Sequence, residues 1–291
     1  MSTLADSLAV YWSSIDRPNT LRSYRGNWER WVAWLEGRAL SPLEVKPLEV
    51  KEYLASMAKQ SAKATRSRAL TTIRSVYGAL VVDGLLVANP AREVKNPKVG
   101  AAPRTPWIDD EAAFKLVEGM PCGTWREARD RLCVLIMLFM GLRRWEVAKL
   151  RVEEFSKDGT RLKTEVKGGK VETFGVPATL AAEIAAWRAR ADITDGALLP
   201  RSPEDRRPIS PRMVYDIVRN AGTRVDVAIA PHGLRRSFIT ILRRRGTDIR
   251  DLQRAVGHES LTTTERYDHD GSVNAPGEDM AEVLGLDRKK D

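Results

Sequence analysis

A proline-rich segment in the first half of the chain limits what the sequence can fold into. Residues 96–106 hold three prolines and one glycine within eleven residues. Proline lacks a backbone N–H and disfavours helix at the residue before it, so this segment favours extended chain. We predict a linker at 96–106, between an N-terminal domain at 1–95 and a C-terminal domain at 107–291. A chain of 291 residues suits this division, since domains commonly hold about 100–200 residues.

The N-terminal part carries the apolar periodicity of helices. Apolar side chains recur at spacings of three and four in the segment 21–35, at Leu21, Tyr24, Trp28, Trp31 and Leu35. Shorter helices are predicted at 45–57, 64–78 and 81–87. We expect the tryptophans to form the core of a small helical bundle, in preference to a base-stacking surface.

The C-terminal part mixes helices with one hairpin. Helices are predicted at about 109–119 and 125–140, and again from 179 onwards, with a tail helix at 276–288. Between them, residues 161–177 alternate in polarity on both sides of Gly168-Gly169, a pair that favours a tight hairpin turn. The predicted fold is therefore mainly α with a small antiparallel β-sheet, a helical domain followed by an α+β domain.

Composition excludes several classes of protein. The longest apolar run, residues 132–140, has nine residues and is too short to span a bilayer. Only Cys122 and Cys133 occur, which excludes a disulfide scaffold and a cysteine-based zinc site. No secretory signal is evident at the N-terminus. We expect a cytoplasmic protein without membrane contact.

Positive charge is concentrated in two separate runs. The formal net charge is +9, of which +6 falls in residues 1–98. Residues 206–254 carry twelve arginines and four aspartates. A solvated helix face could explain either run alone, but two runs with interleaved Ser and Thr favour a surface that follows phosphates. The segment 59–74, within the first of these regions, supplies the predicted DNA-binding residues Lys59, Lys63, Arg66, Arg68 and Arg74.

Residues able to act on a phosphodiester are grouped in four segments. His232 and Arg235 follow Pro231 at a spacing that places both on one helix face. Gly257-His258 comes next, with Tyr267 nine residues further on, and an upstream segment reads Gly141-Leu-Arg-Arg-Trp-Glu146. Each piece alone is compatible with a structural role.

Taken together, these segments resemble the tyrosine recombinases, also called the phage integrase family. That family's pattern has an Arg in a GLRxxE segment, a Lys in a hairpin turn, HxxR, a Gly-His pair and a Tyr nine residues later. The matching positions here are Arg143, Lys167, His232 with Arg235, His258 and Tyr267, over about residues 107–270. The resemblance implies a catalytic domain there and a core-DNA-binding domain in the first 95 residues.

The chemistry of these side chains agrees with that resemblance. Arg143 and Arg235 can bind the non-bridging phosphate oxygens, and His258 can add a hydrogen bond. Tyr267 is the candidate nucleophile, His232 its base and Lys167 the acid for the leaving 5′-oxygen, while Glu146 braces the arginines. Lys170 stays open as an alternative acid, because chemistry alone does not separate it from Lys167. No metal, ATP or other cofactor is expected.

The resemblance also implies a partner and an assembly. We expect a short-form enzyme without an arm-binding domain, acting on double-stranded DNA with core-type recombination sites through a Holliday junction. The expected assembly is a homotetramer on DNA, held by the tail helix docked into a neighbouring protomer, although packing on its own domain is the alternative. Integration or excision of a phage or mobile element is the first interpretation, and resolution of plasmid or chromosome dimers is the second.

Two functions other than recombination are alternatives. A type IB topoisomerase shares the phosphotyrosyl chemistry, and a DNA-binding regulator would share the charge but not need the catalytic set. Relaxases with tyrosine nucleophiles require a His-x-His metal site, which the sequence lacks. We further expect that loss of Arg143 or Arg235 barely changes the fold.

Overall fold

The computed structural model describes residues 3–97, 106–165, 169, 171–256 and 278–286. The chain divides into two compact units, Met1–Arg104 and Thr105–Asp291. Each unit has its own cluster of buried apolar side chains.

The N-terminal unit is a bundle of four helices. They are α1 (Leu4–Ser13), α2 (Pro18–Glu36), α3 (Pro47–Ser56) and α4 (Lys63–Val82), with one 3₁₀ turn at Met57–Lys59. Trp31 is fully buried between α2 and its neighbours, and its indole N–H donates to the Tyr77 hydroxyl at 3.1 Å. The expectation that tryptophans form the bundle core is confirmed for Trp28 and Trp31, while Trp34 is only partly buried.

Helix α4 differs from the prediction of two shorter helices at 64–78 and 81–87. It runs unbroken through Gly78 to Val82, because Ile73, Val76, Tyr77 and Leu80 continue one fully buried stripe. Burial of those side chains outweighs the cost of one glycine in a helix, about 1 kcal/mol. The chain then turns at Gly84, whose φ of 75° lies in the left-handed region, and the segment 83–87 is not helical.

The C-terminal unit is built around one buried helix. Its first elements are α5 (Asp110–Glu118), α6 (Trp125–Met140), α7 (Arg144–Lys149), a 3₁₀ turn (Val152–Glu154) and strands β1 (Arg161–Glu165) and β2 (Val171–Gly175). Then follow α8 (Ala178–Ala191), α9 (Pro211–Arg224), α10 (Pro231–Arg244), α11 (Ile249–Val256) and α12 (Glu278–Val283). Helix α6 contacts α5, α8, α9 and α10, so its apolar run forms the centre of this unit. The mainly helical fold with a small antiparallel sheet is confirmed.

The hairpin turn is not the two-residue turn that the sequence predicts. Strands β1 and β2 pair antiparallel, and the last pair joins Glu165 to Val171. That register leaves five residues between the strands, an odd number, whereas a two-residue turn centred on Gly168-Gly169 requires an even one. Of those five residues the structure describes Gly169 alone, at a φ of 79°.

The tail helix lies on its own domain. Met280, Ala281, Val283 and Leu284 are buried in the core of the C-terminal unit, and α12 contacts α5, α6 and α8. Glu282 also pairs with Arg245 at 3.2 Å. The described part of the predicted 276–288 helix is Glu278–Val283, which is shorter than expected. Docking of this segment into a neighbouring protomer stays a prediction.

Two kinds of feature are absent from the described ranges. No helix within them has the length and apolar character needed to cross a membrane. In the same ranges, no three His, Cys, Asp or Glu side chains are grouped in a way that could hold a metal ion.

Candidate active site

The site begins where helix α6 ends. A capping box of Thr124 and Glu127 starts this helix, and Gly141 ends it with a φ of 58°. A Cβ atom on Gly141 would lie 2.5 Å from the Phe238 ring and 3.1 Å from the Val256 side chain. Only glycine fits both this backbone conformation and this space. The end of α6 therefore lies directly against α10 and α11.

Arg235 joins these three helices. Its side chain is buried, and it donates to the carbonyl oxygen of Gly141 at 2.6 Å and to that of Val256. The first acceptor is the residue that ends α6, and the second is the last described residue before Gly257-His258. The same guanidinium thus fixes the positions of two chain segments that carry predicted site residues.

Arg143 is braced by a buried carboxylate. It precedes α7, and its guanidinium donates to Oε1 of Glu146 at 2.9 Å while its backbone N–H donates to Oε2 at 2.6 Å. Glu146 is 1% exposed, whereas the side chain of Arg143 is 24% exposed. Glu146 therefore holds Arg143 from the protein side and leaves part of its guanidinium facing solvent.

His232 lies in the first turn of α10, directly after Pro231. It is exposed to solvent, but its pKa lies below the usual value because nearby protein atoms remove part of its hydration. The positive charges of Arg235, Arg143 and Arg236, in that order, lower the pKa further. This environment favours a neutral imidazole at neutral pH, which is the form able to accept a proton.

The structure therefore brings together four of the predicted site residues. Arg143, Glu146, His232 and Arg235 form one group at the beginnings of α7 and α10. The other predicted residues of the catalytic set lie outside the described ranges: Lys167, the alternative Lys170, His258 and Tyr267.

The strands that flank the predicted lysine are tied to the same region. Glu165, the last residue of β1, pairs with Lys149 at the end of α7 at 3.6 Å. The buried Thr164 hydroxyl donates to Glu154 at 2.6 Å. The first contact holds the end of β1 beside α7, and the second holds it to the 3₁₀ turn Val152–Glu154.

The sequence analysis missed one contributor to this site and one residue that ties helix α10 to the rest of the unit. Arg236 is buried and adds positive potential at His232, and the i, i+4 spacing between the two residues could have revealed it. Ser237 accepts a hydrogen bond from the Ile108 backbone N–H at 2.9 Å and donates to the Gly233 carbonyl at 2.9 Å. No local sequence pattern predicts that long-range contact.

The predicted DNA-binding residues do not share one environment. Lys59, Lys63 and Arg68 are exposed, while Arg66 is partly buried. Arg74 instead donates to the carbonyl oxygens of Ala91 at 3.1 Å and Val94 at 2.6 Å. Its guanidinium ties the segment after α4 to the bundle, and a contact between Arg74 and DNA stays a prediction.

Sequence comparison identifies both units. Residues 108–272 match the phage integrase family, and residues 13–84 match its N-terminal SAM-like domain. The chain is 31% identical over 221 residues to tyrosine recombinase XerA of Pyrococcus furiosus, with 75% of each chain covered. It is 31% identical over 271 residues to tyrosine recombinase XerC of Myxococcus xanthus, with 86% of each covered.

Solved structures show the same fold. A lambda integrase (residues 75–356) dimer bound to a COC′ core site has a TM-score of 0.71 at 16% identity, over 92% of this chain and 96% of that one. XerH site-specific recombinase bound to its difH substrate has a TM-score of 0.67 at 18% identity, over 86% and 76%. The family pattern matches more than half of this chain, and the identity to XerC agrees with it. This chain therefore belongs to the phage integrase family of tyrosine recombinases, enzymes that break and rejoin DNA.

Proposed function

We propose that this chain is a site-specific recombinase in which Tyr267 cuts DNA by transesterification. The phenolic oxygen attacks the scissile phosphorus, a 3′-phosphotyrosyl bond forms, and the bond from phosphorus to the 5′-oxygen breaks. His232 takes the phenolic proton, and Lys167 gives a proton to the leaving 5′-oxygen, with Lys170 as the alternative donor. Rejoining reverses these steps on another strand and needs no ATP, because the phosphotyrosyl bond conserves the energy of the broken one.

The observation that carries this proposal is the group of cationic side chains around His232. Arg143 and Arg235 both act on the pKa of that histidine, so both lie near the place where a base would work. A phosphodiester in transesterification gains negative charge on its non-bridging oxygens, and fixed positive donors are the usual means of stabilising it. His258 would add one more hydrogen bond. These donors supply charge that a metal ion supplies in other nucleases.

The assembly we propose is a homotetramer on two DNA core sites. One of the solved relatives in fold is a lambda integrase tetramer bound to a Holliday junction. In this chain the segment Glu278–Val283 packs on its own domain. We propose that it leaves that position on DNA and fills the equivalent position of a neighbouring protomer. The enzyme would work in the cytoplasm, on nucleoid DNA.

The biological role has two candidates with the same chemistry. Integration or excision of a phage or mobile element is the first, and resolution of plasmid or chromosome dimers is the second. The relatives support both, since they include proteins named Xer as well as integrases.

A plasmid assay separates these roles and tests recombination itself. Segments of the DNA beside this gene are cloned as direct repeats on one plasmid, or one copy each on two plasmids. Efficient joining of separate plasmids indicates integration, whereas excision between repeats without joining indicates a resolvase or an excision-only enzyme. Relaxation of supercoils without either product would contradict the recombinase assignment and favour topoisomerase activity.

A further inference from the structure

A cleft of about 520 Å³ opens in the N-terminal unit, where helix α4 begins. Helices α2 and α3 and the turn before α4 form its walls. Its polar lining residues are Arg30, Tyr53, Ser56, Gln60, Ser61 and Thr65. All lie within the described range 3–97, and none of the lining residues is acidic. We call this feature the α4 cleft.

The beginning of α4 lacks the groups that usually satisfy a helix N-terminus. Its N-cap is Ala62, which offers no side-chain hydrogen bond, and its first turn holds no acidic residue. Lys63 and Arg66 occupy that turn instead. Cations at the positive end of a helix dipole are unfavourable unless an anion binds there. The start of α4 therefore has the electrostatics of an anion site.

Tyr53 gives a second and independent indication. It is 4% exposed and lines the α4 cleft, and none of the hydrogen bonds within the described residues involves its hydroxyl. By contrast, the buried Tyr77 hydroxyl accepts from Trp31 and donates to the carbonyl of Pro42 at 3.0 Å. The Tyr53 hydroxyl oxygen is not fully buried, so solvent in the cleft can reach it. The Tyr53 hydroxyl is thus a donor available to an acceptor that enters the cleft.

Arg30 supplies the charge. One of its terminal nitrogens donates to Oδ1 of Asn27 at 2.6 Å, and Asn27 itself donates to the Thr72 hydroxyl at 3.0 Å. This chain of hydrogen bonds anchors the guanidinium at one point and leaves its other N–H groups for a ligand. The indole N–H of Trp34, which also lines the cleft, is buried without a partner within the described range.

We propose that the α4 cleft binds one phosphate group of the DNA backbone, through Arg30, the Tyr53 hydroxyl and the N-terminus of α4. This inference deepens the proposed function and rests on it. The exposed cations Lys59, Lys63 and Arg68 lie in the same stretch of chain. Successive phosphates of one strand would meet them, which favours DNA over a free anion as the occupant.

The test measures binding of the full-length chain to a mixed-sequence duplex at several salt concentrations. Each phosphate contact contributes about 0.9 to the slope of log K against log salt. We expect Arg30→Gln to weaken binding about tenfold and to reduce that slope by about 0.9. Tyr53→Phe removes a neutral donor, so it should weaken binding about three- to tenfold with the slope unchanged.

Two matched variants control for the loss of an arginine and of a hydroxyl elsewhere in this unit. Arg92→Gln removes an arginine that is 81% exposed and pairs with Glu93, outside the cleft. Tyr11→Phe removes a hydroxyl that donates to Ser75 at 2.7 Å. Both should bind as the wild type does. Far-ultraviolet circular dichroism and thermal melting check that all four variants fold.

The outcomes separate this inference from the proposed function. Wild-type affinity and slope in both cleft variants, with intact covalent cleavage, would overturn the cleft proposal alone. Competition by inorganic phosphate at constant ionic strength distinguishes a free anion from DNA as the occupant of the cleft. If Arg30→Gln abolishes phosphate competition but leaves the DNA slope unchanged, the cleft holds a free anion and the proposal is wrong. Failure of the wild-type chain to bind DNA would instead refute the proposed function.

Discussion

Arg235 has a structural role in addition to the catalytic role that we propose for it. Its buried guanidinium donates to the carbonyls that end α6 and α11. The structure therefore does not support the expectation that loss of Arg235 barely changes the fold. We expect Arg235→Gln to lower the free energy of unfolding by about 2–4 kcal/mol, since two buried carbonyls lose a charged donor. Urea denaturation measures this. Arg219→Gln, an exposed arginine of α9, is the control and should stay near the wild-type value.

The contacts of Glu146 with Arg143 lead us to propose that it acts through Arg143 and not on the substrate. Replacing it with Gln keeps an acceptor for the Arg143 backbone N–H but removes the buried charge that orients the guanidinium. A small displacement of a catalytic group can cost about 100-fold in rate. We expect Glu146→Gln to slow covalent cleavage by about that factor while DNA affinity stays unchanged. An equal loss of rate and affinity would indicate a binding role instead.

The environment of His232 predicts a pH dependence. Because its pKa is lowered, the imidazole stays neutral below the ordinary histidine value of about 6.5. If His232 is the base, as we propose, cleavage should decline only under more acidic conditions. Arg236→Gln removes one positive charge and should move the midpoint of this decline upward, while Arg236→Lys should keep it. Rates of covalent adduct formation between pH 5 and 8 give the midpoint. A downward shift for the Gln variant would contradict the account.

The lowered pKa of His232 also makes the stability of the fold depend on pH. The unfolded chain binds the His232 proton more tightly than the folded chain does, so stability is present above pH 6.5 and decreases as the pH falls below it.

At the scale of elements, the contact between the end of α6 and helices α10 and α11 depends on Gly141. Gly141→Ala places a Cβ atom against Phe238 at a backbone φ of 58°, so we expect a loss of about 3 kcal/mol or more. Gly196→Ala is the matched control, because Gly196 also has a positive φ but has nothing within 4 Å of the added atom. It should cost about 1 kcal/mol, from backbone strain alone. Equal losses in thermal or urea unfolding would show that packing is not the cause.

How far the sequence predicted each element depended on how local the signal was. Helices such as α6 were predicted well, since capping residues and apolar spacing lie within one segment. The prediction of a two-residue turn at Gly168-Gly169 was wrong, because the register is set by pairing along both strands. The structural role of Arg74 was missed for the same reason: its acceptors lie 17 and 20 residues away, and composition carries no information about them. The candidate site residues came from the resemblance of their order and spacing to a family pattern, and their catalytic roles stay predictions.

At the scale of the whole molecule, the two units each have a separate apolar core. We therefore expect residues 1–97 and 106–291, expressed separately, each to unfold cooperatively in calorimetry. A fragment that shows no transition when alone would mean that its stability depends on the other unit.

The tail gives a second prediction at this scale. Removal of residues 278–291 exposes the apolar surface that Met280 and Leu284 now cover. We expect the truncated protein to bind DNA as a monomer but to form no tetramer on two core sites, in native gels or by light scattering. Tetramers of the truncated protein would contradict the proposed role of the tail.

The most direct test of the central claim is trapping of the covalent intermediate. A nicked suicide duplex, drawn from the DNA beside this gene, is incubated with wild type and Tyr267→Phe in the presence of EDTA. The account predicts an adduct on a denaturing gel for the wild type alone, linked through a 3′-phosphate, with DNA binding retained by the variant. An adduct of equal yield with Tyr267→Phe, or an absolute requirement for a divalent cation, would contradict it.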